Sequence, residues 1–394
     1  MVPSLMERLL FDDILDGELA REEHDGFVQV LQAAGVETLD PQVLLSEVLT
    51  DGEVRADLMR RLEVLGESPE GLALLAEAEA GDVGRLLVEG IRSHEPGPVE
   101  RLRSFYQLSP VPNYFFQRDP QVVFGDRVLI SAMATEARRR EPQLAATIFE
   151  HHPALAGSAD RVRLKPPADI HSQQIPLLEG GDVLVPSSKL LLVGLSERTN
   201  RRGIEALIDY LSHTETTFEQ LLIVELPAQR SYMHLDTVFT FLDHRLCLAY
   251  TPVISGDGAE AGHVYRVDLR QKRLAYITCR DLTSALAECG HEIELIPCGG
   301  GESLIDQQRE QWTDGANVFA LAPGVITIYR RNRKTIDELD RRGFRVIAGE
   351  DVVTGREEVL GHGRTVVTLL STELSRARGG PRCMTMPLER DDLE

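Results

Sequence analysis

Apolar runs broken by a short turn recur at four places in the chain. They are NYFFQRDPQVVFGDRVLISAM, LEGGDVLVPSSKLLLVGLS, HLDTVFTFLDHRLCLAY and GANVFALAPGVITIYRR. In each stretch a polar residue near the start is followed by two runs rich in β-branched or aromatic residues, separated by a turn such as GD, PSSK or APG. This pattern predicts four β-hairpins.

Each hairpin pattern is followed by a segment with helical spacing and then by a short apolar run. The helical segments are TEARRREPQLAATIFEHH, SERTNRRGIEALIDYLSH, TSALAECG and NRKTIDELDRRG, and the apolar runs are RVRL, QLLIVEL, EIELIPC and FRVIA. TSALAECG follows its hairpin after a longer connection. The sequence therefore predicts an α/β protein built from repeats of a strand, strand, helix, strand unit.

The two ends of the chain predict a fifth unit. LAREEHDGFVQVLQAAGVETLD has the pattern of a helix followed by a strand, and RTVVTLLSTEL and RCMTMPL could supply the paired strands. Residues 41–105 are rich in Leu, Glu, Ala and Arg with helical spacing and show no strand pattern. We therefore expect a catalytic domain formed by residues 1–40 and 106–394, interrupted by a helical bundle at 41–105.

Composition narrows the class of partner. The chain has 394 residues, 42% of them hydrophobic, and a net charge of -21, which repels nucleic acid and anionic lipid surfaces. Its five cysteines are scattered and never spaced as CxxC, so neither a disulfide framework nor a zinc site is expected. No segment has the length of apolar residues that a membrane span needs. We expect a cytoplasmic protein without nucleic-acid or membrane partners.

Polar residues at the starts of the hairpins are candidates for a common site. In a circular arrangement of the units, the following side chains would converge: Asp119, Glu179, Asp182, His234, Asp236 and Cys383. Each one alone has a plainer interpretation, since an Asp in a turn often bonds its own backbone, a lone His often lies half-buried in a core, and a lone Cys is often an inert apolar residue. The combination of RDP, EGGD, HLDT and GGPRC favours a site.

With those segments, the chain resembles the bacterial arginine deiminases of the guanidine-modifying superfamily. The similarity runs from LLFDDI and EEHDGF through PNYFFQRDP, EGGDVLV, SERTN, HLDTVF and WTDGANVFALAPG to RGGPRCMTMPL. It implies a five-bladed pentein propeller of ββαβ units. It also implies hydrolysis of L-arginine to L-citrulline and ammonia through a covalent S-amidino intermediate on cysteine, with no cofactor and no metal. We expect a homo-oligomer, either a dimer or a tetramer.

The resemblance also implies roles for individual residues. Cys383 matches the nucleophile, His234 the proton shuttle, and Asp119 and Asp236 the carboxylates that hold the guanidinium. Glu179 lies beside the histidine. The implied substrate-binding residues are Asp182, Arg198, Arg378, Asn113, the main chain of Phe116 and Arg138, with the choice among arginines 138–140 left open. The plain alternative for Arg198 is that Ser196 caps the following helix and leaves the arginine exposed.

This residue set suits the chemistry of a guanidinium. The group is planar, charged and offers five N–H donors, so two carboxylates can fix its plane while a thiolate attacks the central carbon. Alternatives are another guanidine hydrolase acting on agmatine or methylated arginines, and an amidinotransferase. A third is an inactive homologue truncated at the N-terminus, because family members usually begin with an extra strand ahead of the stretch that matches LLFDDI.

Overall fold

A computed structural model describes residues 2–93, 105–156, 160–164, 175–271 and 273–390. Its helices are α1 (Gly17–Ala33), α2 (Pro41–Val48), α3 (Gly52–Leu65), α4 (Pro69–Glu77), α5 (Ala80–Glu89), α6 (Glu141–His151), α7 (Arg201–His213), α8 (Thr251–Ile254), α9 (Leu282–Glu288), α10 (Leu304–Trp312), α11 (Arg333–Arg341) and α12 (Gly349–Val353). Its strands are β1 (Ile91–Arg92), β2 (Tyr106–Leu108), β3 (Gln121–Phe124), β4 (Arg127–Ile130), β5 (Asp160–Val162), β6 (Val183–Ser187), β7 (Leu190–Leu195), β8 (Gln220–Glu225), β9 (Phe239–Phe241), β10 (Leu246–Ala249), β11 (Val264–Asp268), β12 (Ile277–Cys279), β13 (Glu294–Pro297), β14 (Phe319–Ala322), β15 (Val325–Tyr329), β16 (Arg345–Ala348) and β17 (Thr365–Leu369). The fold is mixed α/β.

The four predicted units are present. The hairpins are β3–β4, β6–β7, β9–β10 and β14–β15, and each pair is antiparallel. In the first three units the strand that follows the helix pairs in parallel with the second hairpin strand, as β5 does with β4, β8 with β7, and β13 with β10. The polar residue that opens each hairpin therefore comes to the same edge of its sheet.

Side-chain caps fix where several helices begin. Asp16, Asp40 and Asp51 each accept hydrogen bonds from two backbone N–H groups in the first turns of α1, α2 and α3. Asn200 caps α7 and Asp281 caps α9. A cap satisfies donors that the helix itself leaves unpaired and contributes about 1 kcal/mol.

The predicted fifth unit is wrong in its strands. The run RTVVTLL forms β17, which pairs in parallel with β15 on one side and with β16 on the other, in the fourth sheet. All five residues of β17 are buried, so the strand requires a hydrogen-bonded neighbour at both of its edges. RCMTMPL and the segment after α1 are irregular chain.

Two further differences concern short strands. β1 lies inside the segment predicted to be wholly helical, and Ile91 pairs with Leu108 of β2 after Gly90, with φ of 77°, ends α5. Two residues are too few to produce a detectable periodicity. β11 and β12 form in the connection that precedes α9 and extend the second sheet beside β8. The last part of the predicted bundle, residues 94–104, lies outside the described residues.

The two ends of the chain pack together, as predicted. Phe11 and Phe27 lie in one hydrophobic cluster with Tyr329 and Leu369. The carboxylate of Glu23 in α1 accepts hydrogen bonds from three successive backbone N–H groups at 372–374. This contact holds the segment that leads from β17 to the C-terminal cysteine.

The inserted helices pack on the first unit. Leu45 of α2 and Leu62 of α3 share a hydrophobic cluster with Leu144 and Phe149 of α6. Across the described ranges, no helix has the length and apolarity to cross a membrane. The same part of the chain contains no group of three His, Cys, Asp or Glu side chains placed to hold a metal ion.

Candidate active site

A small cavity lies between the loops that open the hairpins and the C-terminal segment. Its volume is about 20 Å³, room for a water molecule or two. The lining residues are Leu10, Asn113, Phe116, Asp119, Arg138, Arg198, Arg230, Met233, His234, Ala377, Arg378 and Cys383. Most of the predicted site residues are among them, whereas Glu179, Asp182 and Asp236 lie outside this lining.

His234 lies between two acidic side chains at the entry to β9. Its Nε2 is 2.8 Å from Glu179 Oε2, and its Nδ1 is 3.6 Å from Asp119 Oδ1. The other oxygen of Glu179 accepts a hydrogen bond from Ala134 N at 2.8 Å, which fixes the carboxylate against the ring. The histidine is 1% exposed, so it is a fully buried, ion-paired group and not a half-buried core residue.

The acidic neighbours keep this imidazole charged. Burial alone would lower the pKa of His234, but Asp119, Glu179 and Asp182 raise it to about 10. The imidazolium and Arg138 in turn keep the pKa of Asp119 below its usual value, although burial opposes this. At neutral pH His234 is therefore protonated and can donate a proton.

The close approach of the second hairpin to His234 requires a glycine. Gly181 lies in the 3₁₀ turn Gly180–Asp182, between Glu179 and β6. A Cβ at position 181 would lie 2.7 Å from His234 Nδ1 and 2.8 Å from Asp119 Oδ1. A larger residue would push these groups apart, which explains the glycine in EGGD.

Asp119 is paired with Arg138 across the cavity. Arg138 Nη1 donates to Asp119 Oδ2 at 2.5 Å, and its Nη2 donates to the carbonyl oxygens of Phe116 at 3.2 Å and Asn113 at 3.4 Å. Its Nε also donates to both oxygens of Glu141, at 3.0 and 3.1 Å. Arg138 is thus held by the protein and occupies only one oxygen of Asp119.

The three neighbouring arginines have separate positions. Arg138 lines the cavity, Arg139 is exposed, and Arg140 is 2% exposed. Arg140 donates to both oxygens of Glu67, at 2.9 and 2.7 Å, and to the carbonyl oxygen of Leu87 at 2.9 Å. Arg140 therefore connects the inserted helices to the loop that carries Arg138.

Cys383 lines the cavity and is anchored through its main chain. Its N–H donates to Asn317 Oδ1 at 3.0 Å, and its carbonyl accepts from Arg118 N at 3.0 Å. Burial, followed by the charges of Asp236 and Asp119, raises the pKa of the thiol well above its usual value. At neutral pH Cys383 is therefore a neutral thiol.

Asp236 opens the third hairpin and is fully buried. Its Oδ2 accepts from Arg382 Nε at 3.2 Å, and its main-chain carbonyl accepts from Asn317 Nδ2 at 3.0 Å. Burial raises the pKa of Asp236, while Arg382 and His234 oppose the rise. Since Arg382 directly precedes Cys383, this ion pair ties the cysteine segment to the third hairpin.

Four buried charged groups of the site each keep one atom without a hydrogen-bond partner in the described part of the chain. The atoms are Asp119 Oδ1, Asp236 Oδ1, Arg198 Nε and Arg378 Nε. Arg198 Nε lies 3.5 Å from Glu197 Oε1 and Arg378 Nε lies 3.7 Å from Asp12 Oδ2, without forming hydrogen bonds. Leaving a buried polar atom unpaired costs about 1–3 kcal/mol. Asp119, Arg198 and Arg378 line the cavity, whereas Asp236 lies outside its lining.

Asp182 and Asn113 already have protein partners. Asp182 Oδ1 accepts from Leu235 N at 2.8 Å, and its Oδ2 accepts from Ser196 Oγ at 2.7 Å. Burial raises the pKa of Asp182 to about 7. Asn113 Nδ2 donates to the carbonyl oxygen of Leu9 at 2.8 Å. The contacts of both side chains with a substrate stay predictions.

Arg198 is 3% exposed, so the alternative that leaves it in solvent is wrong. Ser196 Oγ accepts from the backbone N–H groups of Arg198 and Thr199, at 3.0 and 3.1 Å. Asn200 caps α7 instead. The serine therefore closes a turn ahead of the helix, and this turn directs Arg198 inward.

The RARGG segment carries Arg378 to the cavity. Arg378 has a left-handed φ of 63°, and its Nη1 donates to the carbonyl oxygen of Trp312. A Cβ at Gly379 would lie 2.3 Å from the Phe116 ring, and the carbonyl of Gly379 accepts from Tyr329 Oη at 2.8 Å. Only a glycine allows the chain to pass this ring, so the glycine is part of how the segment reaches the site.

Sequence reasoning missed several groups of the site. Arg230 lines the cavity, donates from Nε to Asp12 Oδ1 at 3.1 Å, and donates from Nη2 to Leu10 O at 3.0 Å. Its partners come from the distant N-terminal segment, so no local pattern marks it. Arg382, the partner of Asp236, had a signal in its position next to the cysteine.

Comparison with known proteins shows which family the chain belongs to. The family model described as arginine deiminase matches residues 7–390. The arginine deiminase of Clostridium perfringens is 34% identical over 415 residues, and that of Staphylococcus aureus is 34% identical over 409 residues. Each alignment covers 100% of this chain and 93% of the relative. The N-terminal domain of a cyanobacterial arginine dihydrolase, solved with bound product, is 18% identical with a TM-score of 0.43, covering 70% of this chain and 75% of that chain. The full-length match shows that the chain belongs to the arginine deiminase family.

Proposed function

We propose that the chain is an arginine deiminase, which hydrolyses L-arginine to L-citrulline and ammonia through a covalent S-amidino intermediate on Cys383. Membership in the arginine deiminase family supports the reaction. The structural observation that carries the proposal is a set of charged atoms without a hydrogen-bond partner in the described part of the chain, one oxygen each of Asp119 and Asp236 and one nitrogen each of Arg198 and Arg378. Asp119, Arg198 and Arg378 line one cavity together with Cys383. Free arginine has the complementary charges, a guanidinium at one end and a carboxylate at the other.

The two carboxylates are the proposed binding site for the substrate guanidinium. Asp119 Oδ1 and Asp236 Oδ1 are buried acceptors without a hydrogen-bond partner among the described residues, and Asp119 Oδ1 lies 3.6 Å from the charged His234 ring. The second oxygen of each carboxylate is held by a protein arginine. Charge-assisted bonds from N–H groups on two sides would fix the plane of the guanidinium. The plane must be fixed for a nucleophile to approach its central carbon from one face.

Arg198 and Arg378 are the proposed partners of the substrate carboxylate. Both are buried, and each keeps an Nε donor unpaired in the described structure. A substrate without a carboxylate would leave these donors unpaired, which disfavours agmatine. Because arginine is too large for a cavity of about 20 Å³, lining side chains must move when it binds.

Substrate binding would also activate the thiol. Burial, followed by the charges of Asp236 and Asp119, raises the pKa of Cys383. A bound guanidinium places one positive charge beside the sulfur and between these carboxylates, so the pKa falls and the thiol loses its proton to solvent. The thiolate then forms a bond to the guanidinium carbon.

His234 completes both halves of the reaction. Its imidazolium gives a proton to the departing nitrogen, the C–N bond breaks, and ammonia leaves while the carbon stays bonded to sulfur. The neutral imidazole then takes a proton from water, the hydroxide adds to that carbon, and the C–S bond breaks to release citrulline. Acid and base help of this kind contributes about 10²–10⁴ in rate.

The wider organisation is also a proposal. The four sheet units are taken as four blades of a five-bladed pentein propeller, with α1 and residues 370–390 in the place of the fifth. In the first three units the strand after the helix lies beside the second hairpin strand, and Asp119 and His234, from the openings of two hairpins, line one cavity. Both observations support this arrangement. The chain is proposed to form a cytoplasmic dimer or tetramer, and the exposed Val43 and Val64 of the helical bundle are candidates for the contact.

An assay of the purified protein tests the function. L-arginine, agmatine and dimethylarginine are supplied separately, and ureido products and ammonia are measured. We expect citrulline and ammonia from L-arginine, no product from Cys383→Ser, and unchanged activity in the control Cys289→Ser, which alters a cysteine of the third-unit core. Failure to form citrulline from L-arginine, or equal conversion of agmatine, would contradict the proposal.

A further inference from the structure

We propose that Trp312 is a positioning residue, which holds Arg378 in place for the substrate carboxylate. The inference rests on the proposed function, because that function makes Arg378 a carboxylate partner. Trp312 ends α10 and lies outside the cavity lining, so it would act through the arginine and not by touching the substrate.

Trp312 contacts the arginine in two ways. The guanidinium carbon of Arg378 lies 3.8 Å from the centroid of the Trp312 ring, well within the range of a cation–π contact. The carbonyl oxygen of the same residue accepts a hydrogen bond from Arg378 Nη1. The other two hydrogen bonds of the guanidinium are donated by Nη2 and are long, at 3.4 Å to Ser231 O and 3.5 Å to Arg230 O. Trp312 therefore provides the principal contacts of this guanidinium.

All these hydrogen-bond partners of Arg378 are neutral. The arginine side chain is 2% exposed, and its nearest carboxylate oxygen, on Asp12, is 3.7 Å from Nε. Asp314 is buried beside it, but burial raises the pKa of Asp314 to about 7 and its Oδ2 has no partner among the described residues. By contrast, Arg138 is paired with two carboxylates.

This difference matters for anion binding. An arginine already bonded to a carboxylate offers less net charge to an incoming anion. A ring face and carbonyl oxygens can orient a guanidinium while leaving its charge available. The Trp312 contact thus suits an arginine that must receive a carboxylate from the substrate.

Two substitutions of Trp312 distinguish the role of its aromatic ring from a role in stabilising the fold. Trp312→Leu removes the aromatic face and Trp312→Phe retains a smaller one. We expect the KM for L-arginine to rise about tenfold in Trp312→Leu and less in Trp312→Phe, with kcat nearly unchanged. Argininamide, which has the guanidinium but no carboxylate, should inhibit with the same Ki in both variants and in the wild type. The control is Ile305→Ala, on the exposed side of the same helix.

Fluorescence gives a second readout, since Trp312 is the only tryptophan of the chain. In the Cys383→Ala variant, which does not turn over substrate, L-arginine should change the Trp312 emission. The reason is that the carboxylate of L-arginine would bind the Arg378 guanidinium, which is stacked on the Trp312 ring. Argininamide should not produce that change. Citrulline formation by the wild type tests the proposed function separately, so a fluorescence response without citrulline would overturn the function and leave the Trp312 inference standing.

Two results would overturn the inference itself. One is a wild-type KM for L-arginine in Trp312→Leu, together with a Trp312 emission in the Cys383→Ala protein that does not change when L-arginine is added. The other is an equal loss of affinity for L-arginine and argininamide in a variant whose circular dichroism and thermal midpoint match the wild type. That second pattern would mean that the ring shapes the whole cavity and not the carboxylate end.

Discussion

His234 Nε2 and Glu179 Oε2 lie 2.8 Å apart with both side chains buried, so the imidazole is paired with an acid. Burial lowers the pKa of His234, but the charge of Asp119 and the hydrogen bond and charge of Glu179 help to raise it to about 10. A protonated histidine is what the first half of the proposed reaction requires, because ammonia leaves only when its nitrogen receives a proton.

Glu179→Gln should move the basic limb of the kcat/KM profile to lower pH. The carboxylate favours the charged imidazolium, so a neutral amide lowers the pKa of His234 and the proton is lost earlier as pH rises. The measurement compares wild type and variant from neutral pH to above pH 10, and ionisation of the substrate cancels in the comparison. Superimposable basic limbs would contradict the assigned role of the pair.

Asp236→Asn should lower kcat/KM for L-arginine by about 10²–10³-fold. The substitution removes one of the two charges that would hold the guanidinium and lower the thiol pKa on binding. Steady-state citrulline formation measures the loss. Asp337→Asn, at an exposed position of α11, serves as the control. Activity within twofold of wild type in Asp236→Asn would show that this carboxylate does not hold the substrate.

Arg198→Leu should raise the KM for L-arginine by about 10- to 100-fold, since it removes a buried donor for the substrate carboxylate. The affinity for argininamide should change little. Arg201→Leu, whose side chain is 82% exposed in the next turn of the chain, is the matched control. Equal losses for the two ligands would argue against a carboxylate contact.

Arg140→Met should destabilise the protein by about 2–4 kcal/mol, because the buried guanidinium holds Glu67 and two backbone carbonyls at the base of the inserted helices. Arg139→Met, one residue away and exposed, should change stability by less than about 0.5 kcal/mol. Thermal unfolding followed by circular dichroism compares them. Equal midpoints for the two variants would contradict the proposed connection.

Periodicity predicted the four hairpin units because each contains long apolar runs with a turn between them. It failed for β17, since an apolar run does not specify which neighbouring strands it joins. Thr365–Leu369 is buried on both faces, and β15 and β16 supply its two partners. β1 was missed because two residues show no period.

The candidate site was predicted unevenly for a similar reason. Residues in recognisable motifs, such as His234 and Cys383, were identified from the sequence, and the structure brings both to one cavity. Glu141 and Arg230 were not identified, because their partners are defined only after distant segments meet. The unpaired atoms of Asp119 and the other charged side chains are likewise a property of the folded chain alone.

The central claim is that Cys383 forms a covalent bond to the substrate carbon. Rapid acid quenching of the enzyme during turnover of L-arginine, followed by peptide mass spectrometry, tests it most directly. The account predicts that the Cys383 peptide gains the mass of arginine minus that of ammonia. In Cys383→Ser this adduct should be absent, and the activity should fall by about 10⁴-fold or more. Turnover at the wild-type rate by Cys383→Ser, or an adduct on a different residue, would contradict it.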